Sequence, residues 1–230
     1  MNENNHISKW NKFYRERSKK GGIAIWPNES LVRLFKGSYF PWFQEKYRGK
    51  KILDIGFGSG NNLMFFGTLE MELYGVEVHE EICELVAKKL NEMGYNSDLR
   101  LGDNRNIPFR DNFFDYIIPW DVIHYEGEES RIIEAIAEYH RVLKPGGRFF
   151  LSTVAPDHTI LRDSKTLGEH RYEIGRKDDF RQGQVFFTFD APHYIEFYFS
   201  KFFSKVLVGR SYLNYFTETI DTFIVTGLKE

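Results

Sequence analysis

A chain of 230 residues with 42% hydrophobic and 28% charged residues can bury one large α/β core and is too apolar to remain disordered. Its 31 Lys and Arg against 33 Asp and Glu leave a net charge of −2, without the basic excess of a duplex-binding surface. The single cysteine, Cys83, excludes an intramolecular disulfide and a multi-cysteine metal site, and its apolar helical surroundings predict a buried thiol.

The start, MNENNHISKW, is polar and unlike a signal peptide, and no apolar run is long enough to span a bilayer. A cytoplasmic protein without membrane insertion is expected. Residues 1–20 suit a helix with Trp10, Phe13 and Tyr14 on one spacing and a solvated face of Lys12, Arg15, Arg17, Lys19 and Lys20. After Gly21-Gly22, the Trp26–Ser30 turn leads into a helix with Leu31, Leu34 and Phe35 inward. Residues 1–48 are thus expected to cap a main domain.

From Lys50 the chain alternates. KKILDI predicts a buried strand, Asn61 to Glu70 a helix, ELYGVEV a strand and His79 to Met93 a helix. DLRLGD and FFDYIIPWD continue as strands, and Glu129 to Leu143 as a helix that Lys144-Pro145-Gly146-Gly147 stops. RFFLSTV is the fifth strand. This order predicts a doubly wound, mostly parallel α/β sheet. Ala155 to Asp190 is too long for an ordinary connection and reads as a lid or substrate-binding insertion. A helix over Ile195 to Phe203 follows, and SKVLVGRSY with DTFIVTG forms a final antiparallel pair, for seven strands in one domain. Within that domain, 49–154 is the expected core, 155–190 the insertion and 191–230 the closing helix and strand pair.

The first strand runs into Asp54-Ile55-Gly56-Phe57-Gly58-Ser59-Gly60, directly before a helix. Glycines there let the backbone turn sharply and approach a ligand where a Cβ would collide. A dinucleotide fingerprint needs a small residue at position 61, where this chain has Asn61. The acid at Asp54 also disfavours a pyrophosphate and favours a cationic ligand. Glu77 ends the second strand, where a carboxylate can accept from ribose hydroxyls.

The segment from about Lys51 to Val154 resembles a class I S-adenosylmethionine-dependent methyltransferase of the small-molecule type, with a Rossmann-like fold. The resemblance rests on ILDIGFGSG, YGVEV, LGDNRNIPFRDNFFDYI, WDVIHY and RVLKPGGRFFLS, in that order over about half the chain. It implies that Gly56, Gly58 and Gly60 pack against the amino-acid part of S-adenosyl-L-methionine, with Asp54 near its ammonium. It further implies Glu77 on the ribose, Val78 against the adenine, Asp103 and Asn104 at the adenine edge, and Trp120 and Asp121 beside the cofactor. Phe57 stands where many members have a small residue or Cys, which leaves its orientation open.

In methyl transfer the sulfonium already activates the methyl group, so the protein must chiefly orient the reactants and exclude water. An oxygen or nitrogen acceptor can also require a base. His124 is the candidate because imidazole titrates near neutrality, with Tyr125 second; a structural His124 is the competing expectation. The expected partner is a small-molecule acceptor. The alternatives are a tRNA-modifying enzyme, a nicotinamide-dependent oxidoreductase and a non-catalytic cofactor-binding protein. The seven histidines are dispersed, so no metal is expected.

Overall fold

The computed structural model describes residues 26–40, 46–177 and 179–230. The expected first helix with its basic cluster, and most of the expected 1–48 cap, lie outside the described residues. Helix α1 (Glu29–Lys36) begins with the Asn28 side chain accepting from the Ser30 N–H and turns Leu31 and Phe35 inward.

The alternation follows as β1 (Lys51–Ile55), α2 (Asn61–Thr68), β2 (Glu72–Glu77), α3 (Glu80–Glu92), β3 (Ser97–Leu101), β4 (Phe114–Pro119), α4 (Glu129–Val142) and β5 (Leu143–Val154). Helix α5 (Pro192–Phe199), β9 (Ser204–Tyr215) and β10 (Glu218–Leu228) close the chain. The seven strands lie in the order β3-β2-β1-β4-β5-β10-β9. β1 to β5 are parallel, while β10 runs antiparallel to both β5 and β9. Strand order reverses at β1, so a crevice opens between the carboxyl ends of β1 and β4.

Both faces of the sheet are covered, which is why its strands are apolar runs rather than alternating ones. Ile52, Ile118 and Phe150 pack with α1, α2 and α3 through Phe35, Phe66 and Val86. Their neighbours Leu53, Ile117 and Phe149 pack on the other face with α4 and α5 through Ile136, Tyr139 and Phe199. Each such burial contributes about 1.5–3 kcal/mol before the entropy of ordering is subtracted. Cys83 is buried in the first of these layers, as expected.

Two expectations change, and a third region gains detail. Lys144-Pro145-Gly146-Gly147 follows the end of α4 at Val142 but lies inside β5 as an irregularity, with pairing passing from Phe114–Leu143 to Tyr116–Arg148. Gly146 has φ +78° and donates to the Lys229 carbonyl at 2.7 Å, so the glycine shapes a kinked strand start rather than a loop. Helix α5 starts three residues earlier than expected because Pro192 suits a first helical position, and it ends at Phe199. The 155–190 insertion is not a bare loop. It contains a three-stranded antiparallel sheet of β6 (Lys165–Thr166), β7 (Arg171–Glu173) and β8 (Val185–Phe187).

That small sheet packs through Ile174 and Phe186 on Val154 and Ile160. The entry to the insertion is fastened by fully buried Asp221, which accepts from the Asp157 N–H at 2.9 Å and pairs with Arg210 at 2.7 Å.

Candidate functional site

The loop after β1 adopts backbone conformations that favour glycine. Gly56, Gly58 and Gly60 have φ of +69°, +49° and +73°. A Cβ on Gly56 would lie 2.4 Å from Val122 Cγ1, and one on Gly60 equally close to Val86 Cγ1. The Gly56 N–H donates to the Val76 carbonyl at 2.7 Å, which holds the turn against β2.

Two carboxylates stand behind this loop. Glu77 is buried and accepts from the Gly58 N–H at 3.1 Å and the Val78 N–H at 2.8 Å. Burial raises its pKa, and the two N–H bonds offset part of that rise. Asp54 is 1% exposed, and its Oδ2 has no hydrogen-bond partner among the described residues. Burial, and then the charge of Glu77, push its pKa well above the usual carboxylate range, while a bond with Asn62 works the other way. A buried acid lacking a cation is an electrostatic vacancy that a positive group can fill.

A cavity of about 710 Å³ opens at the carboxyl ends of β1, β2 and β4. It brings together Gly56, Glu77, Val78, Asp103 and Asn104, with Trp120, Asp121 and Tyr125 from the segment after β4. Asp54, Phe57, Gly58, Gly60 and His124 are not among its lining residues. Phe57 is buried in the core, with its ring within 2.5 Å of where a Gly75 Cβ would stand. The missing side chain of Gly75 is what admits Phe57 there, which answers its orientation. The side chain of Asn104 is committed to structure: it donates to Glu126 at 2.8 Å and accepts from Tyr139 at 2.5 Å. Asp103 accepts from the Arg105 N–H at 2.8 Å, closing a tight turn.

Asp121 is the strained point. Its φ of +56° is unusual for a residue with a Cβ, and Ser152 of β5 stabilises it. The Asp121 N–H donates to Ser152 Oγ at 2.9 Å and to the Ser152 carbonyl at 3.2 Å, while the hydroxyl donates back to Asp121 Oδ1. Asp121 is exposed to the cavity yet crowded by protein. This crowding raises its pKa, against the smaller effects of the Ser152 bond and the Arg181 charge.

His124 lies behind the cavity wall in the 3-10 turn Ile123–Glu126 and is 2% exposed. Its ring packs against Tyr125 at 4.5 Å and Phe186 at 4.6 Å. Burial, then the charges of Arg181 and His158, push its pKa down to about 3, so the ring is neutral at ordinary pH. The expected imidazole titration near neutrality is therefore absent. Tyr125 does face the cavity, but burial pushes its pKa up to about 12 despite a bond to Arg181. Burial opposes the charge on Arg181, and its paired bonds to Asp179 at 2.8 Å outweigh that opposition.

The opposite wall holds residues that sequence reasoning did not single out: Arg131 from α4, and Arg171 and Gln184 from the insertion. Gln184 is buried and both its amide atoms lack partners among the described residues. No motif marks these positions, and only for Arg171 and Gln184 did a place in the long insertion point toward them. Among the described residues, no group of three His, Cys, Asp or Glu could hold a metal ion, and no helix is long and apolar enough to cross a membrane.

Residues 52–147 match the family described as Methyltransferase domain. The chain is 37% identical over 112 residues to human probable tRNA methyltransferase 9B, a match covering 48% of this chain and 22% of that protein. The chain therefore spans under a quarter of that relative's length. A SAM-dependent methyltransferase structure from Methanosarcina mazei superposes with a TM-score of 0.68 at 18% identity, over 83% of this chain and 97% of that one. Burkholderia thailandensis 1,6-didemethyltoxoflavin-N1-methyltransferase, solved with its acceptor and S-adenosylhomocysteine, superposes with a TM-score of 0.67 at 13% identity, over 100% of this chain and 91% of that one. With its strand order and glycine loop, the chain has the fold of those methyltransferase structures, and its central segment matches the methyltransferase domain family.

Proposed function

We propose that the protein transfers a methyl group from S-adenosylmethionine to an oxygen or nitrogen of a small-molecule acceptor bound in the 710 Å³ cavity. The observation that carries this reading is the buried Asp54 Oδ2, without a hydrogen-bond partner among the described residues, near a glycine loop whose turn Glu77 braces. Such a site fits a ligand with a positive amino-acid end and a ribose. Asp54 would face the ammonium, directly or through water, while Gly56, Gly58 and Gly60 leave room for the amino-acid portion. Phe57 would serve from the core by fixing that loop. Glu77 would take the ribose hydroxyls with lone pairs not used by Gly58 and Val78. Val78, Asp103 and the Asn104 backbone would bound the adenine, and Trp120 would close the side toward β4. When bound, the cofactor supplies an electrophilic methyl group.

The protein's part is orientation, dryness and control of one proton. Holding the acceptor in line can supply up to about 7–11 kcal/mol in favourable cases. For the proton we assign Asp121 in place of His124. Asp121 lines the cavity, is held rigidly by Ser152, and has a raised pKa, which makes it a stronger base than a solvated carboxylate. Tyr125, held by Arg181, would position the acceptor rather than remove its proton. A cytosolic location belongs to the same proposal.

The test is incubation with radiolabelled S-adenosylmethionine and two separate pools, a metabolite extract and total tRNA. Labelled small molecules support the proposal. Label confined to tRNA would establish the second reading, which the name of the human relative favours. No label transfer to either pool, from protein that binds the cofactor, would contradict both.

A further inference from the structure

A second cavity, of about 580 Å³, adjoins the first. The two share one residue, Arg171, and consecutive residues of the chain, Glu128 and Glu129, line one each. Its walls are chiefly aromatic: His170 and Phe187 from the insertion, and His193, Tyr194, Phe197 and Tyr198 from α5. Phe197 is 59% exposed and Tyr194 37% exposed, unusual for large rings that have a core available. The rings form a connected edge, with His170 and Tyr194 centroids 4.4 Å apart and Phe197 and Tyr198 centroids 5.3 Å apart.

Arg171 stands at the junction without an ion-pair partner among the described residues, and its Nε is buried with no hydrogen bond. Glu129, which lines the second cavity with it, accepts from the Tyr198 hydroxyl at 2.7 Å, and Glu169 is exposed to solvent. A guanidinium with a buried unsatisfied N–H presents a strong site for a carboxylate or another planar anion. Lys201, with Nζ 4.0 Å from the Phe197 ring centroid, adds a second positive charge beside the aromatic wall.

We propose that the two cavities form one acceptor path that selects an aromatic acid. Its anionic group pairs with Arg171, its ring lies against Tyr194 and Phe197, and its nucleophilic atom reaches toward Asp121 in the first cavity. This inference rests on the methyl-transfer reading and names the acceptor class for it. Neither half suffices alone. A ring without a charge leaves the Arg171 N–H unsatisfied, and a small anion without a ring leaves the aromatic wall in water.

The test uses three probes on protein saturated with S-adenosylhomocysteine, followed by ligand-observed NMR: 3-phenylpropionate, the uncharged 3-phenylpropanol, and butyrate. The expected result is that 3-phenylpropionate binds at least about tenfold more tightly than either of the others. Arg171→Met should reduce its affinity to that of 3-phenylpropanol. Phe197→Ala, at a largely exposed position, should reduce it toward that of butyrate. S-adenosylhomocysteine affinity should be unchanged in both variants. Equal binding of the three probes, or no response to either substitution while S-adenosylhomocysteine stays bound, overturns this inference alone. Failure of the wild-type protein to bind S-adenosylhomocysteine overturns the methyl-transfer reading with it.

Discussion

The glycine loop, which reaches the cavity through Gly56 and its brace Glu77, and the 155–190 insertion, which reaches it through Arg171 and Gln184, are built on different physics. The loop is governed by the backbone: three positive φ values, two positions where a Cβ would collide, and the Gly58 N–H aimed at Glu77. The insertion is governed by side chains: Arg171 at a junction, a Gln184 amide group without partners among the described residues, and Arg181 clasped to Asp179. Backbone demands restrict residue type sharply, whereas side-chain recognition can be met in many ways. Under the proposed function, the first region holds the cofactor and the second distinguishes acceptors.

Substitutions on the two sides should separate binding from chemistry. The largest expected effect is at Asp121, the proposed base of the transfer step. Asp121→Ala should lower turnover by about 10²–10⁴-fold while S-adenosylhomocysteine affinity moves little. Wild-type turnover should rise as pH climbs through the raised Asp121 pKa, because only the carboxylate accepts a proton. A folded Asp121→Ala protein with unaltered turnover would remove its role as base.

Glu77→Ala should act on the other quantity. Loss of a charge-assisted contact costs about 1.5–3 kcal/mol, or roughly 10- to 100-fold in cofactor affinity. Calorimetry would detect this directly, and unchanged affinity would dissociate Glu77 from the ribose. The Gly58 and Val78 N–H groups would also lose their partner, so thermal stability should be followed in the same preparation.

His124 sits between the two regions and should register in stability rather than rate. In the folded protein its pKa is held near 3, whereas the unfolded ring titrates at its ordinary value of 6.5. The unfolded state therefore binds more protons as pH falls from about 6.5 toward 3, and folding stability declines over that window. His124→Phe should flatten this acid limb in denaturant titrations and leave turnover per folded molecule nearly intact. A loss of turnover by His124→Phe in fully folded protein would return the imidazole to the mechanism.

The smallest effect is a proton count. Asp54 and Glu77 have raised pKa values, and a positive ligand favours their ionised forms. Cofactor affinity should thus increase with pH through those values, with proton release at the lower end. Calorimetry in buffers of differing ionisation enthalpy measures that release, and proton uptake would contradict the assigned electrostatics.

Much of the cofactor half was legible in the sequence because its signals are local. Strands β1, β2 and β4 read as apolar runs bounded by turns, and Gly56 and Glu77 stood at strand ends where such residues meet ligands. Position in the chain did not reveal that Phe57 fills the space left by Gly75, since that pairing exists only across β1 and β2. The Ser152 brace on Asp121 likewise joins residues 31 apart along the chain. Strands β6 to β8, of two or three residues each, are too short to carry a period, and so 155–190 gave no sign of a sheet. His124 looked catalytic by residue type and neighbourhood. Burial, a property of the fold, changed that reading.

The central claim is that the cavity at the glycine loop is shaped for S-adenosylmethionine rather than for a dinucleotide. Parallel calorimetric titrations with S-adenosylhomocysteine and NAD test it most directly. The account predicts binding of S-adenosylhomocysteine with a dissociation constant on the order of micromolar, with a matching rise in thermal stability and no heat from NAD. Binding of NAD with none of S-adenosylhomocysteine would contradict it.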